Sequence, residues 1–596
     1  MSDPKENQHS IKDNHQTFTM VQELACRSRF EEHSHNQNRF DIIAHIPLEI
    51  VSLIILAIDS VSDRFNLLDV SKTWRNVISE CSSPWNEITI NGSLVARRNK
   101  WRISLLPLIN QHIIKLNLFK IKDNSLCESI YSQMAQGEFK KLEKLSIREC
   151  STPSDPTIFY NALSATTALK HLDIKRDFDF MHNNVQERIN ISTILDHCST
   201  LETLSFSGLS VPATVDVIIN DTLSTNDSLT TLELFLYKIS SYQIEHLLCK
   251  CTKLRRLTLS GVTHSTMGVI TRLGTNLEFL NFNTTFNPKI YDDDINNNIQ
   301  RNETQSLLTE LVDLSSALSC TNTRKGRSIR HVGLSISSGE GDPIDFTSFF
   351  LKYSPSIRSM YLDMWSKKND EFGESVGDEF DVGWRSLANA SRFSDLRSLY
   401  IAPDEALCSM LAAPLIQSAP NLRWLTFSEY FVGQEFVSVI VHLDHLQRLE
   451  FNAYYISDID IQALFRALAT KQDSTLEEVS FRTVDEAGTY LSVNDILPFL
   501  PHISTLRQIT FTCLLGEALG KRSLLQLCKD LRSHLNIRSI RLEELDCIDD
   551  EVLHHLARIK NIEHVHLEYL EGITRTGFTD AFENTSIQVS VEDCFY

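Results

Sequence analysis

Leu142-Glu143-Lys144-Leu145-Ser146-Ile147-Arg148-Glu149-Cys150 places apolar side chains at its first, fourth and sixth positions and ends on a cysteine. The Leu145–Ile147 alternation is that of a short strand with one buried face, since successive strand side chains point to opposite sides. The same frame starts upstream at Ile113 and downstream at Leu169, Leu201, Leu229, Leu254 and Leu277. It resumes at Ile329, Ile357, Leu396, Leu422, Leu446, Leu476, Leu506, Ile537 and Ile562. Trp85-Asn86-Glu87-Ile88-Thr89-Ile90 alternates in the same way and reads as a first short strand.

The frame matches the leucine-rich repeat, L-x-x-L-x-L-x-x-N/C, in about sixteen copies, mostly roughly 23 to 32 residues apart. Between the framed segments lie helical stretches such as Ser241–Cys249 and Asp460–Leu468. One strand and one helix cannot bury an apolar face alone, so the units must stack. The expected fold class is α/β: a small N-terminal helical domain followed by a leucine-rich-repeat solenoid, a ribonuclease-inhibitor-like horseshoe or arc with its strands in one parallel sheet. The expected domains are a disordered polar tail over 1–39, a helical domain over 40–85 and the solenoid over 86–596. Two acidic insertions, near 283–328 (with a degenerate repeat around Leu307 to Leu318) and 366–381, read as solvated spacers on the solenoid edge.

With 596 residues, the chain carries a formal charge of -20, which argues against a nucleic-acid binder, since neutralising phosphates requires clustered Lys and Arg on one face. Its 13 cysteines form no CxxC pair, which fits a reducing compartment, cytoplasmic or nuclear. The start MSDPKENQHS has no secretory pattern, and the apolar run Leu53 to Ile58 is too short to cross a bilayer. We therefore expect neither membrane insertion nor export.

From Ile46 to Trp85 the apolar residues Ile46, Ile50, Ile54 and Ile58, then Val70, Trp74, Val77 and Ile78, recur mostly three or four apart, predicting two or three short amphipathic helices. Pro47 suits a first helical turn, and Ser62 or Asp63 is expected to cap the restart before Leu67. So small a bundle carries more apolar surface than its own core needs, which predicts packing against a partner or neighbouring domain.

This block resembles the F-box. Ile46-Pro47-x-Glu49-Ile50 corresponds to its Leu-Pro-x-Glu start, Ile54 lies in the first helix, Leu67-Leu68 in the middle, and Val70-Ser71-Lys72-x-Trp74-Arg75 corresponds to Val-Cys-Lys-x-Trp-Arg. Ile46 and Ser71 replace the usual Leu and Cys. An F-box followed by leucine-rich repeats is similar to the substrate receptors of SCF ubiquitin ligases. The resemblance implies docking on a Skp-type adaptor, which links to cullin and RING subunits, while the repeats hold a protein substrate. It implies the adaptor-facing residues Ile46, Pro47, Glu49, Ile50, Ile54, Leu67, Leu68, Val70, Lys72, Trp74 and Arg75. The other reading of these residues, Ile54 and Val70 above all, is that they form the bundle's own core.

No catalytic constellation assembles: there is no P-loop, no H-E-x-x-H and no G-x-G-x-x-G after a strand. We expect a non-enzymatic adaptor subunit without cofactor or metal. His564 and His566, alternating on one strand, read as surface histidines. The outward positions of the repeat strands include Lys144, Arg148, His171, Lys175 and Arg256, and then Tyr361, Tyr400 and Trp424, which we expect to group as aromatic anchors for a substrate. The alternative is a leucine-rich-repeat scaffold or regulatory protein-binding module with no ligase coupling.

Overall fold

The computed structural model describes residues 42–58, 61–92, 105–151, 153, 155–175, 190–208, 225–236, 239–260, 264–283, 329–337, 347–365, 392–403, 412–431, 434–456, 458–482, 492–514 and 518–594. The expected tail over 1–39, both acidic insertions (apart from Asn283) and the degenerate repeat lie outside them. The chain divides into two compact units, Met1–Trp85 and Asn86–Tyr596.

The first unit contains α-helices Leu48–Leu56, Val61–Leu67 and Lys72–Glu80, flanked by 3-10 turns Ile42–His45 and Ser83–Trp85. Pro47 stands at the N-cap of the first helix, one residue outside the turn expected for it. The second helix already begins at Val61, so Ser62 and Asp63 lie inside its first turn rather than at the cap position expected for them. Ser71 caps the third, its hydroxyl accepting from the Trp74 amide at 3.1 Å. Val51, Ile55, Phe65, Leu68, Ile78 and Trp85 form the core of this unit. Trp85 is fully enclosed: its indole N–H donates to the Ile78 carbonyl at 3.0 Å, and its ring lies 5.5 Å from Phe65. Arg64 ties the ends together, donating to the carbonyls of Ile58 at 2.7 Å and Pro84 at 3.0 Å.

Among the described residues, the second unit is built on one sheet of 18 strands. They are β1 Glu87–Asn91, β2 Lys115–Phe119, β3 Lys144–Arg148, β4 His171–Lys175, β5 Thr203–Gly208, β6 Thr231–Leu236, β7 Arg256–Ser260, β8 Phe279–Asn283 and β9 His331–Ser337. Then come β10 Ser359–Trp365, β11 Ser398–Pro403, β12 Trp424–Phe431, β13 Arg448–Ile456, β14 Glu478–Arg482, β15 Gln508–Thr512, β16 Ser539–Glu543, β17 His564–Glu568 and β18 Gln588–Glu592. Each strand pairs in parallel with the next in sequence, and equivalent frame positions sit side by side, as in Leu145↔Leu172 and Ile147↔Ile174. This is the architecture of an α/β repeat solenoid. Every framed residue from Ile113 to Ile562 is followed two positions later by the start of a strand. β18 was not expected.

The frame's first, fourth and sixth residues build a continuous core. In β12 to β15 the sixth position is phenylalanine, and Phe427, Phe451, Phe481 and Phe511 stack rung upon rung with centroids 5.9, 5.8 and 5.8 Å apart. Directly after several strands the chain turns through the left-handed region at Lys120, Glu149, Cys513, Glu544, Tyr569 and Asp593, with φ between 47 and 54°. The Lys120 and Glu149 amides donate there to carbonyls of the next rung, Arg148 at 2.9 Å and Lys175 at 2.8 Å, which helps offset the unfavourable backbone angle. Helices return the chain between strands. Asp123, Asp155 and Asn190 cap three of them, and Ser240 with Gln243 forms a full capping box on Ser241–Lys250. Neighbouring helices pack on one another, as where Tyr131 meets Phe159 edge-on at 5.3 Å.

Candidate functional site

In the helical unit the structure separates the nominated adaptor-facing residues into two groups. Leu48–Leu56 reads LEIVSLIIL, apolar on nearly every side, and only Val51 and Ile55 are buried. Ile50 and Ile54 are 46 % and 51 % exposed, and they are joined by Leu53 at 61 % and Val70 at 58 %. Leu48 and Leu56 are exposed as well. Ile54 and Val70 are therefore not core residues of the bundle, contrary to the alternative reading of them. Pro47, Glu49 and Lys72 are also exposed, while Ile46, Leu67 and Trp74 are half-buried.

Leu68 is a correction: expected to face the adaptor, it is fully buried in the unit's own core. Arg75 is committed internally, its Nε donating to the Leu68 carbonyl at 2.9 Å and its Nη2 reaching Asp69 at 3.3 Å. Leu48, Leu53 and Leu56 were missed. The signal for them was present in LEIVSLIIL, where an all-round apolar helix on a small bundle must leave one side uncovered.

On the sheet, Tyr361, Tyr400 and Trp424 come together with Ala402, as grouping them required, but they are not exposed anchors. Tyr361 is 5 % exposed, and Tyr400 and Trp424 are 9 % exposed. The strand alternation places them opposite Met360, Leu362 and Leu399. The correction concerns exposure, because the rings cover one another across the rungs. Tyr361 and Tyr400 pair directly in register, and Trp424 pairs with Ser398. The Arg448 guanidinium lies 4.4 Å over the Trp424 ring.

Beneath that cation the Glu450 carboxylate is shared, a residue the sequence reading overlooked. Trp424 Nε1 donates to Glu450 Oε2 at 3.2 Å and Thr426 Oγ1 donates to the same oxygen at 2.8 Å. Arg448 Nε donates to Oε1 at 2.7 Å, its Nη2 also contacts Oε1, and its Nη1 lies 3.5 Å from Glu478. Burial pushes the Glu478 carboxyl upward against the opposing pull of Arg448. The polar side chains of Trp424, Thr426, Arg448 and Glu450 are tied to one another, so this end of the patch reads as structure rather than a recognition pocket.

Among the early outward residues, Arg148 is paired with Asp173 at 3.0 Å. Near the C-terminal end, His564 is exposed, and His566 is held by Glu568 at 2.9 Å and Ser590 at 2.6 Å. Among the described residues no group of three or more His, Cys, Asp or Glu side chains is arranged to hold a metal, and no helix is long and apolar enough to cross a membrane.

No family model and no curated protein matches the chain. Among solved structures it is similar to one described as the crystal structure of Rad7 and Elc1 complex in yeast, with 12% sequence identity over 98% of this chain and 98% of that chain and a TM-score of 0.31. At that score the likeness carries neither fold nor function across.

Proposed function

We propose that the chain is a non-catalytic substrate receptor: its helical unit docks on a Skp-type ligase adaptor and its repeats present a protein substrate for ubiquitination. One observation carries this reading: Leu48, Ile50, Leu53, Ile54, Leu56 and Val70 are exposed apolar side chains on a unit that already has a core. Exposed apolar side chains gathered on one small unit mark an interaction surface. Each is already about half buried, so covering the rest contributes about 1 kcal/mol. Six give about 6 kcal/mol, near the lower bound of the association cost, so the polar rim of Glu49 and Lys72 must add specific contacts.

Such a receptor needs no acid, base or nucleophile. Holding a substrate lysine near a charged conjugating enzyme raises its effective concentration, and that is the whole of its catalytic contribution. The test is reconstitution: the purified chain with adaptor, cullin and RING subunits should form one complex, and proximity labelling with and without proteasome inhibition should identify the substrates. A chain that binds adaptor but recruits no cullin is a scaffold or regulatory module instead.

A further inference from the structure

The two histidines of β17 have unequal surroundings. His564 is exposed, whereas His566 belongs to a chain of side-chain hydrogen bonds that crosses three strands. Arg541, His566 and Ser590 stand in register on β16, β17 and β18. Glu568 follows His566 by two residues and so shares its face of the sheet. The imidazole Nε2 lies 2.9 Å from Glu568 Oε2, and Nδ1 lies 2.6 Å from Ser590 Oγ. Arg541 Nη2 donates to the same Glu568 oxygen at 3.0 Å.

The protons in this chain can be placed. An ionised carboxylate only accepts, so Nε2 carries the hydrogen that points at Glu568. In the neutral ring Nδ1 is then the acceptor, and the Ser590 hydroxyl donates to it. The serine proton is thus aimed at a base whose tautomer is fixed by a carboxylate, which Arg541 holds in turn. Two other serines meet a histidine ring without this arrangement. Ser164, beside His197, gives its proton to the Tyr160 carbonyl at 3.1 Å, and Ser359, beside His331, is only 4 % exposed. Ser590 is exposed, while the His566 and Glu568 side chains are 23 % and 15 % exposed.

We propose that Ser590 is a covalent modification site, a nucleophile that takes an acyl group from an uncharged or cationic activated ester. Ser590 Oγ attacks the acyl carbon and the Oγ–C bond forms. The bond to the leaving thiolate or phenolate breaks with its electron pair, and the hydroxyl proton passes to His566 Nδ1 and on to the leaving group. His566 is the general base; Glu568 and Arg541 are positioning residues. The setting defines the substrate class. Ser590 faces solvent, so water stabilises the developing oxyanion, which suffices for a thioester or aryl ester and not for an amide. Glu592, exposed two residues further along the strand, and Asp593 after it disfavour an anionic donor. The product is one acyl group on one serine, a modification of the chain rather than a turnover. It is independent of adaptor docking and adds no step to ubiquitin transfer.

The probe is p-nitrophenyl acetate, incubated with the full chain, with acetylated residues located by fragmentation mass spectrometry. Ser586, exposed on the same segment, is the internal control. In the parent chain Ser590 should be acetylated about a hundredfold or more faster than Ser586. That ratio should fall on acidification, as the imidazole takes a proton of its own. His566→Gln should remove the advantage of Ser590, and Glu568→Gln, which no longer fixes the tautomer, should reduce it at least about tenfold. Of two thioesters, cationic acetylthiocholine should label Ser590 faster than anionic acetyl-coenzyme A. Equal acetylation of Ser590 and Ser586, a ratio insensitive to pH, an unaltered ratio in His566→Gln, or faster labelling by acetyl-coenzyme A would each overturn the proposal.

Discussion

Tyr361 and Tyr400 stack face to face on adjacent strands, their ring centroids 4.4 Å apart and their planes 12° from parallel. The contact lies on the sheet face opposite the main core, so this part of the solenoid has a second, smaller apolar layer with Ala402 and Trp424. Truncating either ring removes both buried area and a stacked pair. Tyr361→Ala should destabilise the repeats around β10 and β11 by about 3–5 kcal/mol. Hydrogen exchange resolved by peptide should show the loss concentrated there, because each repeat leans only on its neighbours.

Glu450 is the polar counterpart of that layer. Glu450→Ala would strand the Trp424 indole donor, the Thr426 hydroxyl and the Arg448 guanidinium together. Because the Arg448 side chain is 36 % exposed, water recovers part of the loss, and the expected cost is about 2–3 kcal/mol. Urea unfolding monitored by tryptophan fluorescence measures it, and Glu450→Gln, which keeps an acceptor, should cost less.

A pH dependence follows from His331. Burial, together with Arg256, Arg330 and Arg358, lowers its pKa from the ordinary 6.5 to about 4. An imidazole that resists protonation in the folded chain contributes stability above pH 6.5, and this is lost as the pH falls through 6.5 toward 4. Between pH 7 and 5 the loss is about 2 kcal/mol. Thermal melts at the two pH values should show a smaller acid-induced drop for His331→Gln than for the parent. An equal drop would remove His331 from the explanation.

Much of this fold was legible because the repeat frame couples each apolar residue to a strand at a constant offset, as in Leu142 for β3 and Ile562 for β17. β18 escaped because its frame opens on Ser586 and continues with Val589 and Val591, without a leucine and without a leading apolar residue. The face of Tyr361, Tyr400 and Trp424 was readable from alternation. Their burial was not, since it depends on side chains from neighbouring rungs. In Leu48–Leu56 the stripes Ile50/Ile54 and Val51/Ile55 are equally apolar, so periodicity alone did not say which one faces the core.

The most direct measurement for the receptor reading is the affinity of the full chain for a purified Skp-type adaptor, compared with a chain carrying Ile50→Asp and Ile54→Asp. Both positions are exposed and outside the bundle core, so the variant should keep the parent's helical circular dichroism and melting temperature. Calorimetric titration should give a saturable complex with the parent and at least about a hundredfold weaker binding with the variant, the loss expected when two apolar contacts at the centre of an interface become charges. No binding by the parent, or equal binding by the variant, would contradict the account.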